Sequence, residues 1–243
     1  MNDKSCMKIN IGTCGFRLNK VEYAKLFSCV EVQQTFYQPP QIATLERWRA
    51  EMPDEFAFTL KAWQLITHEA KSPTFRRLKR KLSDAEKEEA GYFKTTSIVK
   101  EAWEMTLACA NALKAKTILF QCPASFKPYA ENIINLEKFF SDIKRGKLNL
   151  AWEPRGDWDD EVIKDICDQF DLWHVVDPFQ KHTVTPDKCY YRLHGMTGFR
   201  YKYEEAELEE LVSLLPKNKR SYVFFNNIFM TEDALAFQQI IKV

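Results

Sequence analysis

The chain has 243 residues, of which 45% are hydrophobic, and a formal net charge of +1 at pH 7. So even a balance excludes recruitment to nucleic acid or membranes by a global field, and any anion recognition must be local. The seven cysteines are scattered, odd in number and without a CxxC pair, which excludes a disulfide framework or a disulfide-linked partner and points to a reducing compartment. The opening MNDKSCMKIN has no apolar signal core, and no apolar run approaches membrane-spanning length. A soluble, cytoplasmic protein with no membrane partner is expected.

In chain order, short β-branched and aromatic runs alternate with segments of helical periodicity. Lys8–Thr13 reads as a first strand and Lys20–Phe27 as a helix; Val30–Gln34 follows as a strand and Ile42–Ala50 as a helix. Phe56–Lys61 is a third strand, and its helix, Ser97–Leu113, comes only after the charged stretch 68–96. Within that stretch Ser83 and Glu86 have the spacing of a capping box, preceded by the basic cluster Arg76, Arg77, Lys79, Arg80 and Lys81. It reads either as a salt-bridged, solvated helix-turn or as an anion-gathering arm. Thr117–Gln121, Leu148–Glu153, Leu172–Asp177, Cys189–His194 and Tyr222–Asn227 complete eight runs, with helices expected over Pro128–Ile143, Asp159–Phe170, Glu204–Leu214 and Thr231–Ile241. Pro178–Lys188 is too short for a full crossover helix. Strand alternating with helix implies right-handed βαβ units and a parallel sheet. The length suits a (β/α)8 barrel of about 250 residues. The expected fold is therefore α/β: a TIM-like barrel of seven or eight parallel strands, irregular around strands six and seven. It forms a single domain over 1–243 with a charged βα insertion at about 68–96.

Nearly every run closes on a polar group. Strand side chains alternate with period two, so in the second, third and fifth runs the bulky residues share one face. Glu31 and Gln33, Lys61, and Glu153 share the other, and the same phase takes in Gln121, Asp177, Arg192, His194 and Asn226. Such a pattern suits a barrel with helices outside and polar groups gathered at its C-terminal end.

Several motifs along the chain resemble the YecE-like family, a domain of unknown function with a TIM-barrel-like fold. They are IGTCGF at Ile11–Phe16, VEVQQTFY at Val30–Tyr37, Phe58–Lys61 with Thr67–His68, and FQCPASF at Phe120–Phe126. AWEPRGDW at Ala151–Trp158, YRLHG at Tyr191–Gly195 and FNN at Phe225–Asn227 complete the set. Gln33 stands where the family has Asn, and Phe16 where it has Trp. The resemblance implies the barrel and names no reaction, so function must be argued from the site.

Lys61, Arg155 and Arg192 are the candidate anion ligands, since Arg pairs bidentately with carboxylate or phosphate. Glu31, Gln33, His68, Gln121, Asn226 and Asn227 are further candidate ligand-binding residues. Glu153, Asp177 and His194 are the candidate catalytic residues: His194 ends a strand before a turn-forming Gly195 and titrates in the range useful for proton transfer. Glu153 precedes Pro154, which ends its strand. The opposing reading makes these charges an internal ionic plug. Glu153, Asp177, His194 and His68 are ligand types that suit a divalent metal, but no HxH or HExxH motif supports one. A P-loop and a GxSxG elbow are absent as well. Phe36, Tyr37, Trp158, Tyr201 and Tyr203 could pack, or stack on a base or sugar.

Two functions remain open at this point. One is an enzyme on an anionic small molecule or a single-stranded nucleic-acid end, hydrolysing a phosphoester or glycosidic bond. In it Lys61, Arg155 and Arg192 hold the anion, Glu153 and Asp177 act as base or orienter, and His194 moves the proton. The other is a non-catalytic nucleotide- or RNA-binding module that uses the same cations with the Arg76–Lys81 cluster.

Overall fold

Each of the eight apolar runs forms a strand. In the computed structural model, which describes residues 9–216 and 221–241, they are β1 (Ile9–Cys14), β2 (Cys29–Val32), β3 (Ala57–Lys61), β4 (Thr117–Gln121), β5 (Asn149–Glu153), β6 (Leu172–Val176), β7 (Cys189–Leu193) and β8 (Ser221–Phe225). Lys8, which opens the first run, lies outside the described residues. The strands close into a parallel barrel in sequence order, with Gln121 level with Glu153 and Arg192 level with Phe224. This is an eight-stranded TIM-like barrel.

The helices follow the helical periodicity. They are α1 (Lys20–Leu26), α2 (Gln34–Tyr37), α3 (Ile42–Ala50), α4 (Gln64–Thr67), α5 (Asp84–Glu89), α6 (Ser97–Leu113), α7 (Ala130–Asp142), α8 (Asp160–Phe170), α9 (Glu205–Ser213) and α10 (Met230–Ile241). Side-chain oxygens satisfy first-turn N–H groups at several starts: Asn19 caps α1, Ser83 and Glu86 form the capping box of α5, and Asp159 caps α8. Only α2 and α4, each four residues long, had no sequence signal. No helix stands between β6 and β7, as that connection's length required. Among the described residues no helix is long and apolar enough to cross a membrane.

Packing divides the chain into two compact units. One comprises the chain up to Glu31, Met52–Ala57 and everything from Trp173 on; the other comprises Val32–Glu51 and Phe58–Leu172. In the second unit the core is aromatic. Phe93 and Phe120 meet Phe139 and Phe140 with ring centroids 5.2–6.0 Å apart, spacings at which edge-on and tilted rings attract. In the first unit Tyr190, Tyr222 and Phe224 are buried against one another.

The insertion is held down by ion pairs. Arg80 bonds both Glu86 and Glu101, and Lys87 bonds Asp84. Its end is fixed by backbone bonds from Gly91 to Leu65 and from Phe93 to Ile66. Gly91 has φ +83°, and a Cβ there would lie 2.4 Å from the backbone of His68, so only glycine fits. The salt-bridged reading of this stretch accounts for these contacts.

Candidate functional site

In the first unit, the inner face of β2 and β7 carries a buried ion pair. Glu31 and Arg192 are 0% and 1% exposed. Arg192 Nε–H donates to both carboxylate oxygens at 3.1–3.2 Å, and Nη2–H donates to Oε1 at 2.9 Å. Tyr190, two residues before Arg192 and therefore on the same strand face, donates its hydroxyl to Glu31 Oε2 at 2.7 Å. Cys14 donates to Oε1 at 3.3 Å. Burial and the adjacent carboxylate hold the Cys14 thiol well above its ordinary pKa, so it is no nucleophile. This is the internal ion pair that the sequence left open as the alternative to a ligand clamp. Tyr190 and Cys14 were missed, although the period-two phase shared with Arg192 could have found Tyr190.

A second polar group of the same unit lies just past β6, β7 and β8. Asp177 accepts from the backbone N–H of His194 at 2.8 Å and from that of Phe179 at 3.2 Å. Asn226 Nδ2 and His194 Nδ1 are 3.1 Å apart. With the amide as donor, Nδ1 is the acceptor and the neutral imidazole carries its proton on Nε2. Gly195 takes φ +88°, where a Cβ would meet the carbonyl oxygen of Gly198 at 2.3 Å, and its N–H donates to the Tyr203 hydroxyl. Asn227 goes elsewhere: fully buried, it donates to Asp233 and to the carbonyl of Tyr201, bracing the turn into α10. His174 is buried and accepts from Val184 N–H, and His182 is exposed.

In the second unit, β3 and β5 end on Lys61 and Glu153. Lys61 is buried, with its ammonium 3.9 Å from the centroid of the Phe36 ring, a cation–π contact. Phe36 also meets the edge of His68, whose Nδ1 lies 2.8 Å from the Thr67 hydroxyl. Burial and then the charges of Lys61 and Arg155 push His68 down to about 3. His68 is therefore neutral under ordinary conditions. Arg155 Nε–H donates to Glu153 Oε1 at 3.0 Å, with Nη2 at 2.9 Å from the same oxygen. Gln121 stands level with Glu153 on the neighbouring strand and is partly exposed. Gln33 is partly exposed at the head of α2.

Of the aromatics, Phe36, Trp158 and Tyr203 are buried packing residues. The Tyr37 ring carries Arg77 at 3.5 Å. The supporting part that Phe36 plays beneath Lys61 and His68 had no separate signal in the sequence. Among the described residues no group of three or more His, Cys, Asp or Glu side chains is placed to hold a metal ion.

Residues 17–242 match the family described as "Protein of unknown function DUF72". A DUF72 family protein from Enterococcus faecalis V583 superposes with a TM-score of 0.73 at 20% identity, over 97% of this chain and 96% of that one. One from Thermotoga maritima MSB8 superposes with a TM-score of 0.68 at 23% identity, over 97% and 100%. A D-psicose 3-epimerase shares the barrel with a TM-score of 0.56 at 11% identity, over 97% and 96%. No protein of curated function matches the chain.

Proposed function

Since the chain belongs to the DUF72 family, whose description carries no reaction, we propose a function from the chemistry of the strand ends alone. The protein binds an anionic ligand, phosphorylated or nucleotide-like, at the C-terminal ends of β3 and β5. The observation that supports this is the grouping of cations around His68. Lys61 and Arg155, after burial, both lower the pKa of that ring, which puts two cations close to one buried imidazole. Two cations at strand ends, where ligands bind in barrel enzymes, favour an anion. Arg155, whose side chain is 41% exposed, supplies the fork of donors. Glu153 sets its direction, and neutral His68 contributes a hydrogen-bonding ring rather than a charge. Arg192 and Glu31 leave the ligand set, because each already answers the other.

Calorimetric titration with inorganic phosphate and with a nucleoside monophosphate tests this reading. Arg155→Gln should weaken binding at least about tenfold, as expected for loss of a charge-assisted contact, while the circular dichroism is kept. Equal affinity in that variant sinks the proposal.

A second reading, hydrolysis of a phosphoester, is favoured by the bonding around His194. Its backbone is held by Asp177 and its Nδ1 by Asn226, which orients an imidazole for proton transfer. On an aryl phosphate, His194→Ala should remove turnover and leave phosphate affinity in place. If no turnover is found with the wild-type chain, the binding function stands alone.

A further inference from the structure

Three loops of the first unit follow three hydrogen-bonded neighbours, β7, β8 and β1. They are residues 194–204, 226–229 and 15–19. The first two join directly: Ile228 N–H donates to the carbonyl of Phe199 at 2.8 Å. On these loops stand large apolar side chains open to solvent, Leu18 at 39%, Met196 at 41%, Ile228 at 49% and Phe199 at 51% exposed. Interleaved with them are the exposed cations Arg17, Arg200 and Lys202. Lys202 lies 5.8 Å from the Phe229 ring centroid. Residues 15–19, 195–203 and 226–229 contain no Asp or Glu. Of the acids that flank these loops, Glu204 and Glu207 are engaged in the capping box of α9, and buried Asp233 is engaged with Asn227. Glu207 also accepts from the Tyr201 hydroxyl, so the acids stand at the edge of these loops, while Arg17, Arg200 and Lys202 stand among the exposed apolar side chains.

From this juxtaposition we propose that the loops after β1, β7 and β8 form a docking surface for single-stranded nucleic acid, with phosphates on Arg17, Arg200 and Lys202 and a base against Phe199. The charge is complementary to a polyanion, and exposed aromatic side chains on loops that also carry cations are what unpaired bases stack on without sequence preference. A duplex would offer phosphates but no open base face to Phe199, and a purely acidic peptide would leave the apolar side chains in water. The proposal does not depend on the anion binding proposed at Lys61 and Arg155.

Fluorescence anisotropy of a labelled oligothymidylate of about ten nucleotides, titrated with the full-length protein at several salt concentrations, tests the proposal. The wild-type chain should bind saturably. If three phosphates are neutralised, the slope of log K against log salt should be about −2 for a single strand. Arg200→Gln with Lys202→Gln should bring the slope to about −0.7, while Phe199→Ser should weaken binding several-fold and leave the slope unchanged. Phe199 and Arg200 are exposed, and circular dichroism checks that the variants keep the fold. Absence of saturable binding by the wild type would overturn the proposal, as would affinity that neither variant changes. Equal competition by a duplex or by polyglutamate would do so too. Sedimentation velocity covers the remaining occupant: a self-association abolished by Phe199→Ser would assign the patch to a second copy of this chain and refute the nucleic-acid reading.

Discussion

The guanidinium of Arg192 faces both carboxylate oxygens of Glu31, at 2.9–3.2 Å, with neither side chain reaching solvent. The pair links β2 to β7 and takes two further donors, Tyr190 and Cys14. Its desolvation makes it weak evidence for stability, yet breaking it strands a buried charge. Arg192→Met should therefore lower the free energy of unfolding by about 3–5 kcal/mol. Combining it with Glu31→Gln, which keeps an acceptor for Tyr190, should recover most of that loss. Urea denaturation of the three proteins checks this. A single variant as stable as the wild type would show that the pair is not what holds these strand ends.

His68 gives the fold a pH dependence with a definite sign. Its folded pKa, about 3, lies below its unfolded value of 6.5. Below pH 6.5 the unfolded chain thus binds a proton that the folded chain refuses, and stability falls as pH drops from about 6.5 towards 3. Between pH 7 and pH 5 the wild type should lose about 2 kcal/mol more than His68→Gln. Denaturant midpoints of both proteins at the two pH values measure it, and parallel losses would mean that His68 titrates normally.

Gly195 connects the fold to His194. Its φ of +88° and the carbonyl oxygen of Gly198, 2.3 Å from where a Cβ would stand, leave no room for a side chain. Gly195→Ala should cost about 1–3 kcal/mol and shift the His194 imidazole resonances, because the Gly195 N–H bond to Tyr203 is lost with the turn. Unchanged His194 shifts in a destabilised variant would separate the turn from the orientation of the ring.

How legible these features were depended on periodicity. The strands were readable because Val30, Phe56 and Trp152 alternate with polar neighbours, and Pro154 marked the end of β5. The starts of α1, α5 and α8 carry Asn, Ser and Asp caps; the Ser83 signal was readable in advance, and for α8 the sequence offered Asp157 or Asp159. The four-residue helices α2 and α4 are too short for a helical period to register. Yet they carry Phe36 and Thr67, the residues that set the surroundings of Lys61 and His68. At the strand ends, residue type and phase brought Glu31, Arg192, Asp177, His194 and Asn226 to attention together. Which charge pairs with which is a matter of tertiary contact, and the sequence left both the clamp and the ion pair open for Arg192. Asn226 and Asn227 were grouped together, and it is tertiary contact that takes Asn227 to Asp233 and the Tyr201 carbonyl.

Lys61, Arg155 and His68 stand or fall together as an anion site, and histidine-selective NMR of the full chain, titrated with inorganic phosphate at neutral pH, decides between the two. The His68 ring resonances of the wild type should shift saturably, with the apparent affinity reduced at least about tenfold by Arg155→Gln. A His68 signal that phosphate does not move, or one that moves equally in Arg155→Gln, would contradict the assignment.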